Sequence, residues 1–274
     1  MDDLQDIQVA AIASGSNGNC YYINTSEGAF LVDVGISYKM LYNRTKELGI
    51  NLEKIRAILV SHEHSDHIKG IERTVKELKI PVFITRQTLQ ASRFIVDKKF
   101  IEFFEPNRKF EIGNITISPI SKNHDAVEPC SFMISNNKYN IAILTDIGQP
   151  CANVINCIKE ADVAFLEANY DEDMLLNSRY TYHLKKRVSG KKGHLSNYEA
   201  ALLILEHATP RLKKILLSHI SENNNTPELA YKTFTVITQE RKDLNIETIL
   251  TSREDTTPII SVTPQDVKII CNTN

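Results

Sequence analysis

The chain has 274 residues, 42% of them hydrophobic and 24% charged, with a formal net charge of −2. That length suits one large domain or two small ones with a substantial core. The charge excludes a protein that is basic all over, while leaving room for a local basic patch. Five cysteines (Cys20, Cys130, Cys151, Cys157 and Cys271) form no C-x-x-C pair. They argue against a disulfide framework or a cysteine zinc knuckle and fit a reducing cytoplasm. The acidic start MDDLQDIQ lacks the basic-then-apolar pattern of a signal peptide. No apolar run approaches the roughly 20 residues needed to cross a bilayer, so no membrane partner is expected.

In chain order, IQVAAIA (7–13), CYYINT (20–25) and AFLVD (29–33) predict three strands, separated by turn chemistry such as SGSNGN (14–19). Ser37 is placed to cap a helix over 37–48. IRAILV (55–60) reads as a buried strand. Ile68, Ile71, Val75 and Leu78 then recur at helical spacing through IKGIERTVKEL (68–78). The β-branched residues and the NN and GN turns of 100–145 predict antiparallel sheet. IAILT (141–145) and VAFLEA (163–168) have the apolar character of central strands. Ser196 and Glu199 stand in capping-box positions, so a helix starts there. A buried strand KILLS (214–218), a helix near 227–240 and strands near 246–251 and 258–262 close the chain. Two β-rich halves with helices outside them make an α/β (α+β) protein, a four-layer αββα sandwich. No low-complexity or Pro/Gly/Ser linker interrupts it, and one domain over 1–274 is expected.

The stretch SHEHSDH (61–67) puts three histidines and an aspartate in seven positions. His62 and His64, two apart in extended chain, point to the same side and can share one metal ion. Asp66 and His67 come as the chain turns into a helix and can face a second ion. Three further candidate ligands stand at predicted strand ends: His124 in SKNHDA, Asp146 in LTDIG and His219 in LLSHIS. Imidazole with carboxylate suits Zn²⁺, Mn²⁺ or Fe²⁺. The plainer reading, satisfied polar residues at a core edge, fits a lone histidine but not so dense a set. Asp33, which ends FLVD, is open to two readings, a turn aspartate or a carboxylate that supports a ligand from behind.

H-x-H-x-D-H followed by a distant His, a distant Asp and a final His resembles the metallo-β-lactamase superfamily, over about 7–262. By that resemblance His62, His64 and His124 hold a first metal, Asp66, His67 and His219 a second, and Asp146 bridges both. Asp33 then supports a ligand, and Asp66 belongs to the catalytic group as well. Two divalent ions, Zn²⁺ before Mn²⁺ or Fe²⁺, are implied. Ions about 3.5–4 Å apart can share a hydroxide that attacks a scissile phosphate and clamp both sides of an in-line displacement. Esters and thioesters would be served as well.

SGKKGHLSN (189–197) puts His194 just before a helix N-cap, Ser196. Helix N-termini favour anions, so this turn lies near a phosphate if the helix points at the metals; otherwise it is an ordinary cap beside an exposed histidine. The segment resembles the Gly-His-Ser/Thr motif of tRNase Z-like nucleases. That resemblance implies a catalytic His194 that protonates the leaving oxygen or stabilises its charge. Just upstream, Lys185, Lys186, Arg187, Lys191 and Lys192 make a basic run. Such runs are usually solvated faces, but beside this motif a funnel for nucleic acid is reasonable. Together with SGSNGNCYYI, LVDVGIS, LEANYD and LSHISENNN, these motifs resemble the YycJ/WalJ-type metallohydrolases, small bacterial proteins regarded as 5′ DNA exonucleases. DNA is therefore the expected partner, ahead of RNA. The short interval between Asp146 and His219 leaves no room for the β-CASP cap of RNase J-like enzymes. A small-molecule hydrolase of the same fold (a cyclic phosphodiesterase, thioesterase or lactonase) is the alternative. A non-catalytic metal-bearing binding module is a third reading.

Overall fold

The computed structural model describes residues 7–262 and the backbone of 268–270; Cys271 and the start of the acidic N-terminal stretch lie outside the described residues. The chain begins with β1 (Ile7–Ala13), β2 (Cys20–Thr25) and β3 (Gly28–Val32). Then come α1 (Tyr38–Glu47), β4 (Ile55–Leu59), α2 (Ser65–Ile68) and α3 (Ile71–Leu78). β5 (Val82–Ile84), α4 (Arg86–Ala91) and β6 (Ile101–Phe103) follow. The second half opens with β7 (Phe110–Ile112), β8 (Ile115–Ser121), β9 (Cys130–Ser135) and β10 (Asn140–Leu144). It continues through α5 (Ala152–Glu160), β11 (Val163–Glu167), α6 (Glu172–Asn177) and α7 (Tyr182–Val188). After α8 (Asn197–His207), β12 (Lys214–Ser218), α9 (Pro227–Thr238) and β13 (Glu247–Leu250), the chain returns to the first half with β14 (Ile259–Val262) and β15 (Lys268–Ile270).

Two sheets result, ordered β15-β14-β1-β2-β3-β4-β5-β6 and β13-β12-β11-β10-β9-β8-β7. Their strands are apolar on both faces, and the period-2 alternation sorts the side chains into layers. Ile141 and Ile143 of β10 join Phe30, Val32, Phe132 and Phe165 between the sheets. Ala142 and Leu144, one residue out of phase, pack outward with Val154, Ile158, Ala200, Ile204 and Phe234 of α5, α8 and α9. On the other side Leu31 and Ile58 pack outward against Leu41, Ile71 and Val75 of α1 and α3. Three apolar seams between four layers are the αββα sandwich expected from two β-rich halves with helices outside them.

Three expectations change. The helix expected over 68–78 is broken, with α2 ending at Ile68 and α3 starting at Ile71. The segment after β3 crosses there: Gly70 N donates to Val34 O at 2.9 Å, and a Cβ on Gly70 would lie 1.9 Å from Ile36 O. The 100–145 region is antiparallel only from β7 to β10; β6 joins the first sheet, parallel to β5. Helices α4, α5, α6 and α7 occupy segments for which no helix was predicted.

The same crossing positions the candidate site. Val34 N donates to His67 O and Asn19 N to Asp66 O, both at 2.8 Å. A Cβ on Gly35 would lie 1.6 Å from Asp66 O, a contact that no rotamer relieves. Gly35→Ala is therefore expected to destabilise the protein by about 1–3 kcal/mol or more through overpacking and to displace Asp66. Thermal unfolding together with the metal content of the variant checks this; a variant of wild-type stability and metal content would refute it.

Candidate metal centre

Every predicted ligand follows the C-terminal end of a strand, and the ends meet on one rim between the sheets. H-x-H-x-D-H follows β4, His124 follows β8, Asp146 follows β10 and His219 follows β12. Asp33, Asp146 and His219 have left-handed backbone, with φ of 60°, 54° and 56°. Asp and His tolerate this region better than most residues, yet each such turn costs on the order of 1–3 kcal/mol. The surrounding hydrogen bonds must hold it.

The side chains form overlapping clusters. His62 Nε2 and His124 Nε2 lie 3.1 and 3.3 Å from His64 Nδ1. Asp66 Oδ2 lies 3.5 Å from His67 Nε2 and 3.6 Å from His219 Nε2. Asp146 faces both groups: Oδ2 is 3.2 Å from His67 Nε2, and Oδ1 is 3.9 Å from His124 Nε2 and 3.5 Å from His219 Nδ1. In each of the sets His62–His64–His124, Asp66–His67–His219 and His62–His67–Asp146, the ligand atoms lie within 4.8 Å of one another.

The other face of each ring is tied down. His67 Nδ1 donates to Asp33 Oδ2 at 2.7 Å, and Ser61 Oγ donates to the same oxygen while contacting His62 Nδ1 at 2.8 Å. Asp33 thus both holds the outer nitrogen of His67 and forms a left-handed turn. His124 Nδ1 donates to Gly193 O at 3.1 Å and His219 Nδ1 to Glu167 Oε1 at 2.8 Å. Fixing the outer nitrogen sets the tautomer and aims the inner one.

The residues fit divalent ions. Among the described residues, the buried His219 Nε2 and Asp146 Oδ2 have no hydrogen bond. An unsatisfied buried polar atom costs about 1–3 kcal/mol, and a shared cation would satisfy both. Imidazole nitrogens with carboxylate oxygens are the donors that Zn²⁺ and similar ions take.

Without ions, charge in this pocket balances internally. Burial opposes ionisation of Asp146, but His219, His67 and Lys122 outweigh it and hold the carboxyl well below its usual range. Burial likewise pulls His219 down, and Asp146, Asp66 and Glu167 reverse that, raising it to about 10. His67 is raised in the same way by Asp146, Asp66 and Asp33 against its burial. His62 and His124 go the other way. Burial dominates, His67 and Lys122 add to it at His62, and His124 falls to about 4.

Two groups that the sequence reading left unassigned belong here. Glu167, the last residue of β11, is fully buried; its Oε1 accepts from His194 Nδ1 as well as from His219, both at 2.8 Å. Its Oε2 accepts from Ile147 N and Leu195 N. The signal was a carboxylate ending an apolar strand, the same mark that Asp33 carries. Lys122 is a buried cation whose Nζ donates to Thr145 O at 2.7 Å.

His194 stands at the rim, 20% exposed, its ring 5.3 Å from that of His124 and 5.2 Å from that of His219. The capping box of α8 forms, but Ser196 is fully buried and its hydroxyl is engaged with Glu199 N and Glu172 Oε1. The Ser196 hydroxyl, expected near the substrate phosphate, is thus engaged by the cap and by Glu172. In the basic run, Lys185 Nζ donates to Leu176 O and Arg187 Nε to Asp125 Oδ2. Lys186, Lys191 and Lys192 are exposed.

The profile of the beta-lactamase superfamily domain matches residues 23–220. Exodeoxyribonuclease YycJ of Bacillus anthracis is 34% identical over 86% of this chain and 90% of its own length. Exodeoxyribonuclease WalJ of Streptococcus pneumoniae is 34% identical over 81% of this chain and 84% of its own. The metallo-beta-lactamase fold protein YhfI from Bacillus subtilis superposes with a TM-score of 0.70 at 18% identity, covering 92% of this chain and 99% of that one. Among the described residues no helix is long and apolar enough to cross a membrane.

The raised His219 gives a pH signature. Its stability contribution to the metal-free protein is complete below the ordinary histidine pKa of about 6.5 and is lost as pH rises through about 10. The melting temperature of chelator-treated protein should therefore fall across that window. Metal needs the neutral imidazole, so metal addition at neutral pH should release protons and apparent affinity should rise with pH. Calorimetry in buffers of different ionisation enthalpy measures the release; zero release would contradict the charge balance described above.

Proposed function

The chain belongs to the beta-lactamase superfamily, and on that premise we propose that it is a two-metal phosphodiesterase that degrades DNA from the 5′ end. The observation that carries this reading is the His194–Glu167 pair on the rim of the two ligand clusters. His62, His64 and His124 would hold one ion and Asp66, His67 and His219 the other, with Asp146 between them. Zn²⁺ is the first candidate by donor type, with Mn²⁺ or Fe²⁺ as alternatives. When bound, the ions supply Lewis-acid charge where the phosphate becomes more negative.

The rest falls to the chain's own groups. Asp66, 22% exposed where Asp146 is buried, is the carboxylate of the cluster open to incoming water and can orient it. Glu167 takes the Nδ1 hydrogen of His194, which leaves Nε2 to carry the proton that the departing alkoxide receives. The P–O bond to the leaving group breaks as the water oxygen bonds to phosphorus. Lys186, Lys191 and Lys192 lie exposed just ahead of His194 and supply charge for the DNA backbone. The described cysteines, Cys20, Cys130, Cys151 and Cys157, are free thiols, which supports a cytoplasmic location.

End-labelled single- and double-stranded DNA and RNA, incubated with metal-loaded protein, test the proposal. Mononucleotides released from the 5′ end of DNA are expected; degradation confined to RNA, or internal cuts alone, would overturn it. His194→Ala should keep about two ions per chain while turnover falls by roughly 10²–10⁴, the range for a lost general acid. The loss should shrink with a nitrophenyl phosphodiester, whose leaving group departs unprotonated. Equal losses on both substrates would assign His194 to phosphate positioning instead.

Replacing Lys186, Lys191 and Lys192 together by Ala should weaken DNA binding. The slope of log K against log salt should decrease by about 0.7–0.9 for each lost phosphate contact. Hydrolysis of the nitrophenyl phosphodiester should change little. Equal damage to both substrates would mark the segment as structural.

A further inference from the structure

Five imidazoles contribute to the candidate centre, and four have the outer ring nitrogen fixed: His62 by Ser61, His67 by Asp33, His124 by Gly193 O and His219 by Glu167. His64 differs. Its Nδ1 faces His62 and His124, and its Nε2 faces Asp125 Oδ1 at 4.0 Å, too far for a hydrogen bond. That Oδ1 atom is buried, lies 3.4 Å from His124 Nε2 and, among the described residues, has no hydrogen bond. The other oxygen, Oδ2, accepts from Arg187 Nε. Arg187 lies on α7 within the basic run, its side chain 58% exposed. One carboxylate therefore stands between two ligand imidazoles, one of them unbraced, and a guanidinium open to solvent.

We propose that Asp125 is shared between Arg187 and His64, so that a DNA phosphate captured by Arg187 releases the carboxylate to brace His64 and tightens the metal site of His62, His64 and His124. This rests on the reading of those histidines as ligands. Guanidinium binds phosphate and carboxylate with the same fork of donors, so the two anions compete for Arg187. Closing 4.0 Å to hydrogen-bond length requires a shift of only about 1 Å. The loop that carries Asp125 is already tied to the H-x-H segment, since Val127 N donates to Glu63 Oε1 at 2.8 Å. A carboxylate on the outer nitrogen of a ligand histidine changes metal affinity by about 10–100-fold. The coupling is reciprocal, so the ion raises DNA affinity by the factor by which DNA raises ion affinity.

A plain ion pair pinning α7 to the rim makes a different prediction, because removing either partner then does the same thing. The test is competition of Zn²⁺ between the full-length protein and a chromophoric chelator, for wild type, Asp125→Asn and Arg187→Gln. Without DNA, Asp125→Asn should change Zn²⁺ affinity little, because the brace is not yet made, whereas Arg187→Gln, which frees the carboxylate, should tighten one of the two sites by up to about 10–100-fold. A duplex with nuclease-resistant phosphorothioate ends should tighten Zn²⁺ binding to wild type and not to Arg187→Gln, an arm that does not depend on how Asp125→Asn folds. The Co²⁺ d–d spectrum of Asp125→Asn should keep its intensity, since Asp125 acts through His64. Weakening in the same direction by both variants, absence of the duplex effect in wild type, or a changed Co²⁺ coordination number would each overturn the sharing. A wild-type protein that binds no ion would overturn the metal centre itself, and is thereby distinguished from failure of the sharing alone.

Discussion

Asp33 and Asp146 are carboxylates enclosed almost completely by protein, and water cannot solvate them there. Burying a charge is tolerable only where hydrogen bonds and opposite charge replace the lost water. Asp33 is satisfied by Ser61 N, Ser61 Oγ and His67 Nδ1. Asp146 has no such hydrogen-bonded shell on Oδ2; it relies on the field of His67, His219 and Lys122. Much of the rim answers this requirement: the left-handed turns that bring the groups inward, the raised histidines and the buried lysine. Divalent ions would answer the same requirement with fewer protons. Metal binding and proton release at this rim are therefore two forms of one charge balance.

The legible and illegible parts of this site differ in how local their causes are. H-x-H-x-D-H concentrates its ligands in one stretch, and His124, Asp146 and His219 each follow an apolar run, so residue type and position could be read together. Glu167 follows the same rule at the end of β11, but VAFLEA continues apolar past it and conceals the strand end. Asp125 was beyond reach for another reason. Its partner Arg187 lies 62 residues away, on a helix with no buried residue and hence no apolar stripe to betray it. The break between α2 and α3 was hidden likewise, because the segment that interrupts them comes from the end of β3.

The layered fold was more legible than the site because one signal, short apolar runs of strands buried on both faces with helices between them, recurred along the chain. Phase within β10 sends Ile141 and Ile143 to one seam and Ala142 and Leu144 to another. The sheet ends then fall into place, since parallel strands β10, β11 and β12 deliver their C-termini to one edge. Helix α8 shows how a correct local reading can mislead about chemistry. Its capping box forms as expected, and the Ser196 hydroxyl expected near a phosphate serves the cap.

The ligands also arrive at very different moments of synthesis. His62, His64, Asp66 and His67 emerge early, on the first sheet, whereas His219 follows the second-last strand of the other sheet and is fixed through its own N–H to Ser14 Oγ, at 2.9 Å, near the chain's beginning. A ribosome-bound chain that stops short of β12 can offer the early histidines to an ion but cannot close the second cluster. Two-ion binding of the kind proposed would thus require the second sheet to be complete through β12. The ions would act as a late latch, adding their binding energy only after both sheets have docked. A nuclease that depended on both clusters would stay inactive for as long as it was unfinished.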